Sequence, residues 1–450
     1  MSETQSEMGM TGIRIGAGAG FAGDRIEPAV ELIEKGELDY LCFECLAERT
    51  IALAQLARQH DPGAGYDPRL EKRMRAVLGP AMAKGVRIIS NMGAANPLAA
   101  MQAALGVARD MGLTGIRMAA VLGDDVLSVI SGQDHTLIDR TGTLAQLAPI
   151  SANAYLGAFP IARALAQGAQ VIFTGRVCDP ALFLGPMIHA FGWGEQDWTL
   201  LARGTAVGHL LECAGQLTGG YFADPGFKDV PGLARLGFPL AEVSPDGHAV
   251  LTKVAGSGGR LSLASAREQA MYEILDPARY LQADVVADFT TLRLTEIGPD
   301  RIAVSGARGL PRPETLKVSV GYRDGFIGEG QITYAGPGAV ARGQLALDIV
   351  RERIAMLGLP VEEVRYDLIG VNSAHVGAYH GDPAEVRARV AARAQDAATA
   401  AEIGAEVEAL YLNGPSGGGG VTTSLREVVA VASILIGRDV VQPSIVHEVS

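Results

Sequence analysis

The sequence predicts an α/β protein: an N-terminal domain with a mainly parallel sheet flanked by helices, followed by an α+β domain. Three observations carry this reading. Short β-rich runs alternate with amphipathic stretches through the first half of the chain. Each of those stretches stops at a glycine. From Pro231 onward, strand-like alternation replaces the strand–turn–helix order.

The first strand, 14–16, opens into Gly16-Ala-Gly-Ala-Gly-Phe-Ala-Gly-Asp24-Arg25. A helix over 29–34 follows, with Asp24 as its expected N-cap and Pro28 as an early helical position. Strands are predicted at 40–45, 87–91, 116–121 and 171–174, separated by helices at 69–84, 97–111 and 158–167. Gly36, Gly85, Gly112 and Gly168 supply the C-terminal stops. The segment 209–221 reads as a helix closing in glycines. Beyond it come strands at 249–254, 285–292, 317–322 and 330–334, and a long helix at 339–356. A strand at 363–370, a helix around 384–407 and the glycine run 417–420 complete the chain. The domains are therefore a flexible N-terminus (1–11), an α/β domain (12–230) and an α+β domain (231–450).

A chain of 450 residues, 48% of them hydrophobic, has enough apolar mass for two or three real cores. A net charge of -12 with no compensating basic cluster argues against nucleic acid as a partner. The longest apolar run, 428–436, is far short of the roughly 18 residues that span a bilayer, so no membrane is expected. Residues 1–10 have no apolar core of a secretory signal, and four cysteines form no disulfide framework. A cytoplasmic protein is the expectation.

In a parallel sheet, ligands bind at the carboxyl ends of the strands, and the unusual residues of this sequence gather there. Gly18, Gly20 and Gly23 satisfy the letters of a dinucleotide fingerprint. The helix, however, starts after the last glycine, so NAD(P) is not expected. Binding of an anion or carbonyl by loop amides, with Asp24 and Arg25, stands against a purely structural turn. Cys42 and Cys45 read as core. Glu44, an acid in an apolar strand, is costly unless paired or used. A salt bridge to Arg25 or Arg49 and a catalytic role are the alternatives. Asn91 and Asn96 flank the turn after the third strand. Arg176 offers a planar fork for a carboxylate or phosphate, and Asp179 reads as the cap of the next helix. Glu212 and Gln216, four apart, share a helix face, with His209 three before Glu212. Lys253, Gly258 and Gly259 pair cations with glycine amides and suit a phosphate tail such as that of coenzyme A. Asp124-Asp125 could hold Mg²⁺ or simply form a solvated loop, so a divalent metal stays open. No residue is assigned to a metal, and His375 and His380 are weak candidates. Ser416, in Gly414-Pro-Ser416-Gly-Gly418, lacks the helix that a nucleophile elbow needs.

Taken together, the glycine loop to Arg25, Thr174-Gly-Arg176…Asp179, His209-Leu-Leu-Glu212-Cys213…Gln216…Thr218-Gly-Gly-Tyr221, Lys253…Gly256-Ser-Gly-Gly259 and Tyr272-Glu273…Asp276-Pro…Tyr280 resemble the AtuA (acyclic terpene utilisation) family. The resemblance covers nearly the whole chain from about residue 12. It implies a place in the breakdown of citronellol- and geraniol-type acids through branched acyl-CoA intermediates. It supplies no residue roles. Longer members carry a C-terminal ferredoxin-like extension; the resemblance implies that here this module is absent or is a separate small ferredoxin-like subunit acting as a partner.

The functional expectation is an enzyme of branched carboxylic-acid or acyl-CoA catabolism, of the lyase or hydratase type. Arg25 or Arg176 would hold a carboxylate or thioester oxygen, and Glu44 or Glu212 would be the general base. The alternative is a non-catalytic acyl-CoA or carboxylate-binding subunit that works with a small partner protein. In either case the ligand is a small carboxylate or CoA thioester. The many apolar residues point to a homo-oligomer.

Overall fold

The computed structural model describes residues 12–374 and 381–450, so the expected flexible start and the His375/His380 pair lie outside the described residues. The chain divides into two compact units. One runs to Gly321 and takes in Val431–Ser450; the other is Tyr322–Ala430.

The first unit begins with β1 (Ile13–Ala19), α1 (Glu27–Lys35), β2 (Tyr40–Phe43), α2 (Glu48–His60), α3 (Leu70–Lys84), β3 (Arg87–Ser90), α4 (Pro97–Asp110) and β4 (Arg117–Leu122). It continues with α5 (Leu127–Ile130), β5 (Pro149–Ala154), α6 (Phe159–Ala166), β6 (Val171–Thr174), α7 (Ala181–Phe191) and α8 (Trp198–Glu212). Strands β1, β2, β3, β6 and β4 lie side by side in that order and are all parallel. Helices pack on them, so nearly every strand residue is buried and the strands read as continuous apolar runs. The predicted α/β class holds. Parallel pairing has a functional consequence: the loops after all five strands emerge at one end of the sheet.

Later strands extend this sheet. They comprise β7 (Pro239–Val243) and β8 (Ala249–Lys253) and, after α9 (Leu263–Met271), β9 (Tyr280–Leu281), β10 (Val286–Asp288), β11 (Arg293–Gly298), β12 (Arg301–Ser305) and β13 (Arg308–Leu310). β7 joins β1 antiparallel, and β8, β12 and β11 follow outward. β13, β10 and β9 form a small sheet of their own. The 230/231 junction read from composition thus lies inside the first unit, ahead of strands that hydrogen-bond into the N-terminal sheet.

The remaining elements are β14 (Thr315–Ala335), α10 (Ala339–Leu357), β15 (Val361–Ile369), β16 (Glu385–Ala394), α11 (Ala397–Glu408), α12 (Leu410–Asn413), β17 (Gly419–Gly437) and β18 (Ser444–Val449). In the second unit β15, β16, β14 and β17 form a sheet in that order. Ile332, Tyr334, Leu347, Val350, Val390, Ile403 and Val407, from β14, β16, α10 and α11, make its core. The helix expected around 384–407 is half strand. Val386, Ala388, Val390 and Ala392 are buried at every second position, with Arg387 and Arg389 between the first three and Arg393 after the last, which is the period of a strand. The helix begins only at Ala397, where Asp396 accepts the Thr399 N–H and caps it. In the first unit, β18 pairs antiparallel with β4 and closes the far edge of the large sheet.

Candidate functional site

The loops after β1, β2, β3, β4 and β6 carry Asp24, Glu44, Asn91, Asp124 and the Arg176–Asp179 pair. β2 ends at Phe43, so Glu44 stands just beyond the strand and not within it. The C-terminal end of α8 reaches the same place. A Cβ on Gly20 would lie 2.5 Å from the Cys213 carbonyl carbon, so only glycine lets this helix end approach the loop. Gly18 is similarly committed, because a Cβ there would meet the Phe43 ring at 2.5 Å.

Arg176 is at the centre, 1% exposed. Its Nε donates to the Val177 carbonyl at 2.9 Å, one Nη to the Leu46 carbonyl, and the other to Asp179 Oδ1. Its backbone N–H donates to Asp124 Oδ2 at 2.9 Å. The guanidinium also lies 4.6 Å above the Tyr155 ring. Tyr155 donates its hydroxyl to Glu48 Oε1 at 2.6 Å, and Lys317 Nζ sits 3.2 Å from the same oxygen. Burial works against the Arg176 charge, but Asp179, Tyr155, Glu44 and Glu48 outweigh it and raise its pKa above the ordinary arginine value.

The surrounding acids are pushed in different directions. Burial, with repulsion from Asp179, lifts Glu44 to about 8 despite Arg176 and the hydrogen bonds from Asn91 Nδ2 (2.9 Å) and the Leu46 N–H (2.8 Å). Burial also lifts Asp124 to about 6, against donations from the Arg176 N–H and Asn153. Glu48 goes the other way. Although burial raises it, the Tyr155 hydroxyl and Lys317 bring it down to about 2. Burial, then Asp179 and Glu273, hold Glu212 well above the carboxylate range. Its Oε1 lies 2.8 Å from His209 Nδ1. Burial pulls His209 down to about 4. Both shifts favour the neutral forms of this hydrogen-bonded pair, and Glu212 Oε2 has no partner among the described residues. Asp179 is raised as well, by burial, while Arg176 opposes this. With its side chain 35% exposed against 8% for Glu212, it is the more open of those two acids.

A cavity of about 630 Å³ opens beside this cluster, with Cys45, Leu46 and Asn91 in its wall. Leu46, Leu53, Ala54, Ala57, Met92 and Ala94 make an apolar side; Tyr66, Asp67 and Arg69 make a polar one. The cavity and the charged cluster are joined through Asn91, which contacts Glu44.

The chain belongs to the acyclic terpene utilisation family. A family model described as "Acyclic terpene utilisation family protein AtuA" matches residues 13–447. No curated protein and no solved structure matches the chain. Membership links the chain to acyclic terpene utilisation at the level of pathway.

Several residues singled out in the sequence lie in the AtuA-family cluster: Glu44, Asn91, Arg176, Asp179 and Glu212. The others are placed as follows. Asp24 does not cap α1, whose N-cap is Ile26; its carboxylate accepts the Gly20 and Arg25 N–H groups and closes the glycine loop on itself. Gly23 lines the cavity. Arg25 reaches the Leu233 and Ala234 carbonyls at 3.2 and 3.1 Å. Asn96 caps α4 and donates to the Pro62 and Ala64 carbonyls, holding the cavity rim. Asp179 is no helix cap either, since Pro180 takes that position and the Asp179 carboxylate pairs with Arg176. α8 stops at Glu212, so Gln216 sits in a following 3₁₀ turn and shares no α-helix face with it. Lys253 is bound to the Ser257 carbonyl and to Asp300. The Gly258 and Gly259 amides donate to the Arg235 and Pro231 carbonyls. Asp124 and Asp125 diverge: the first bonds Arg176 and Asn153, while the second faces Arg58 at 3.6 Å. Among the described residues no group of three or more acids, histidines or cysteines converges on one point.

Glu48, Tyr155, Asn153 and Lys317 escape the sequence reading, and Glu273 and Tyr280 enter it only within the family motif. Tyr155 directly follows β5, which pairs with β14 and lies outside the parallel sheet, so the rule for parallel strand ends does not point to it. Glu48 is the first residue of α2, a helix the sequence reading does not place.

Proposed function

We propose that this chain is an enzyme of branched carboxylic-acid or acyl-CoA catabolism of the lyase or hydratase type, working by proton transfer between carboxyl groups beside a fixed cation. The observation that carries the proposal is Glu44. Its pKa of about 8 keeps it a neutral acid at neutral pH although Arg176 is nearby, and Asn91 ties it to the wall of a half-apolar cavity. Two carboxyl groups driven to different protonation states are what acid–base chemistry at one pH requires. Asp179, in direct contact with the guanidinium and the more open acid, serves as base; Glu44 is the acid.

In hydration of an unsaturated acyl group, Asp179 takes a proton from water as its oxygen adds to the β-carbon. Glu44 gives its proton to the α-carbon, and Arg176 stabilises the negative charge that develops between. The reverse reaction expels water. The apolar wall from Leu46 to Ala94 suits a branched hydrocarbon chain.

The test is incubation of the chain with a panel of branched unsaturated acids and their CoA thioesters, read by mass spectrometry for gain or loss of one water. Glu44→Gln and Asp179→Asn should each lose at least about a hundredfold in turnover. Full turnover in both variants removes the assignment. Tight binding without any turnover, equal in both, supports instead a binding subunit.

A further inference from the structure

A second cavity, of about 530 Å³, lies elsewhere in the first unit and shares no lining residue with the one beside Asn91. The strand register builds it. Arg14 pairs with Glu242 across β1 and β7, and Leu240 pairs with Thr252 across β7 and β8. Paired residues point to the same side of a sheet, so these side chains form one face. Arg301, at the start of β12, joins it, and the end of α1 at Lys35 forms a wall.

The guanidinium donors on this face outnumber the oxygens that hold them. Arg14 Nη1 and Arg301 Nη2 hold the two oxygens of one carboxylate, Glu242, at 2.6 and 2.9 Å. Two guanidiniums thus share a single negative charge. Arg14 Nη2 and Arg301 Nε and Nη1 make no hydrogen bond among the described residues. Lys253 is matched by Asp300 at 3.4 Å. Glu37 is the remaining acid of the lining, and Lys35, the remaining cation, is paired with Glu31 at 3.0 Å. On a chain of net charge -12, a concave face with surplus guanidinium donors is an exception. At its edge, the Ala255 and Gly256 amides are exposed and likewise bond to no described residue, Gly256 having φ +77°.

We propose that this groove binds a phosphate group of a ligand, a phosphomonoester or a pyrophosphate. A guanidinium fork, a second guanidinium and backbone amides around one concavity match the several oxygens of a phosphate better than the two of a carboxylate. The proposal does not rest on the acid–base reading of Glu44.

The test is calorimetric titration of the full chain with inorganic phosphate, pyrophosphate and ADP at low salt. Arg301→Gln, at a side chain 42% exposed, should retain the fold and weaken pyrophosphate binding about tenfold. Glu242→Gln should move the affinity the other way, since it frees both guanidiniums. ADP tighter than pyrophosphate identifies a nucleotide-type ligand, and equal affinities show that the phosphates alone are read. Absence of binding by all three anions, or binding equal in wild type and both variants, overturns the proposal. Should Glu242→Gln fail to fold, the Arg301→Gln result decides alone.

Discussion

Asn91 couples the cavity to Glu44: its Nδ2 donates to Glu44 Oε1 at 2.9 Å while its Oδ1 accepts the Cys45 N–H at 2.7 Å. All three residues are buried. Asn91→Ala leaves the buried Cys45 N–H without a partner, at a cost of about 1–3 kcal/mol, while Glu44 Oε1 loses one donor and keeps the Leu46 N–H. The expected result is a drop of about 1–3 kcal/mol in unfolding free energy, measured by urea denaturation. Asn91→Asp keeps the acceptor for Cys45 but sets a carboxylate against Glu44. It should be the less damaging change at low pH, where the new acid is protonated, and the more damaging at high pH.

Glu44 makes stability depend on pH with a definite sign. Its folded pKa of about 8 lies above the ordinary 4.5, so the folded state binds a proton that the unfolded state has released. This contribution is fully present below about pH 4.5 and is lost as pH rises through about 8. Asp124 and Asp284, both raised by burial to about 6, add the same slope at lower pH. Melting temperature should therefore fall between pH 5 and pH 8, and Glu44→Gln should flatten the upper part of that fall. An identical slope in the variant means that Glu44 is ionised in the fold.

Arg176→Met is expected to be among the most damaging single changes in the first unit. It removes the cation facing Asp179, Glu44 and Glu48 and leaves the Leu46 and Val177 carbonyls without their donor. Breaking a buried ion pair from one side costs about 3–5 kcal/mol. Arg176→Lys should recover only part of this, because one ammonium cannot span donations to Leu46, Val177 and Asp179 together. Thermal unfolding of both variants checks the order.

How much of this site the sequence discloses depends on whether a residue's partner is visible along the chain. Glu44 stands out because a lone acid in an apolar run is costly, and Arg176 because it follows a strand end. Asp179 reads as a cap because a carboxylate before Pro180 fits that pattern. What separates cap from ion pair is the direction of its side chain, which spacing does not encode. Glu48 is hidden for another reason. α2 buries Gln55 and exposes Leu53 to the cavity, so its polarity pattern gives no clean helical stripe. The same blurring hides the strand character of 385–394, whose arginines are spaced for ion pairs with Asp367, Glu329 and Asp324 on neighbouring strands. The parallel core is the most legible part, because full burial on both faces leaves its strands as uninterrupted apolar runs between glycine stops.

Tyr155 offers a way to separate packing from hydrogen bonding around Arg176. Tyr155→Phe keeps the ring beneath the guanidinium and removes only the hydroxyl that donates to Glu48. The expected cost is about 1–2 kcal/mol, with Glu48 rising from about 2 toward its ordinary value. Tyr155→Leu removes the cation–π face as well and should cost about 1–2 kcal/mol more. Equal loss in the two variants would show that the ring contributes nothing to holding Arg176.

Glu212 and His209 supply the sharpest test of a charge state. Both are buried, and burial pushes each toward its neutral form. Glutamine copies the shape and hydrogen bonding of a neutral glutamic acid, so Glu212→Gln should leave the melting temperature at pH 7 almost unchanged. A buried ion pair would behave differently: the same substitution would strand a charged imidazolium and cost about 3–5 kcal/mol. Activity separates two further cases. If Glu212 passes a proton during turnover, Glu212→Gln stays folded yet loses rate, and its pH profile loses a limb. If Glu212 only positions the end of α8 beside Gly20, both rate and profile stay as in the wild type.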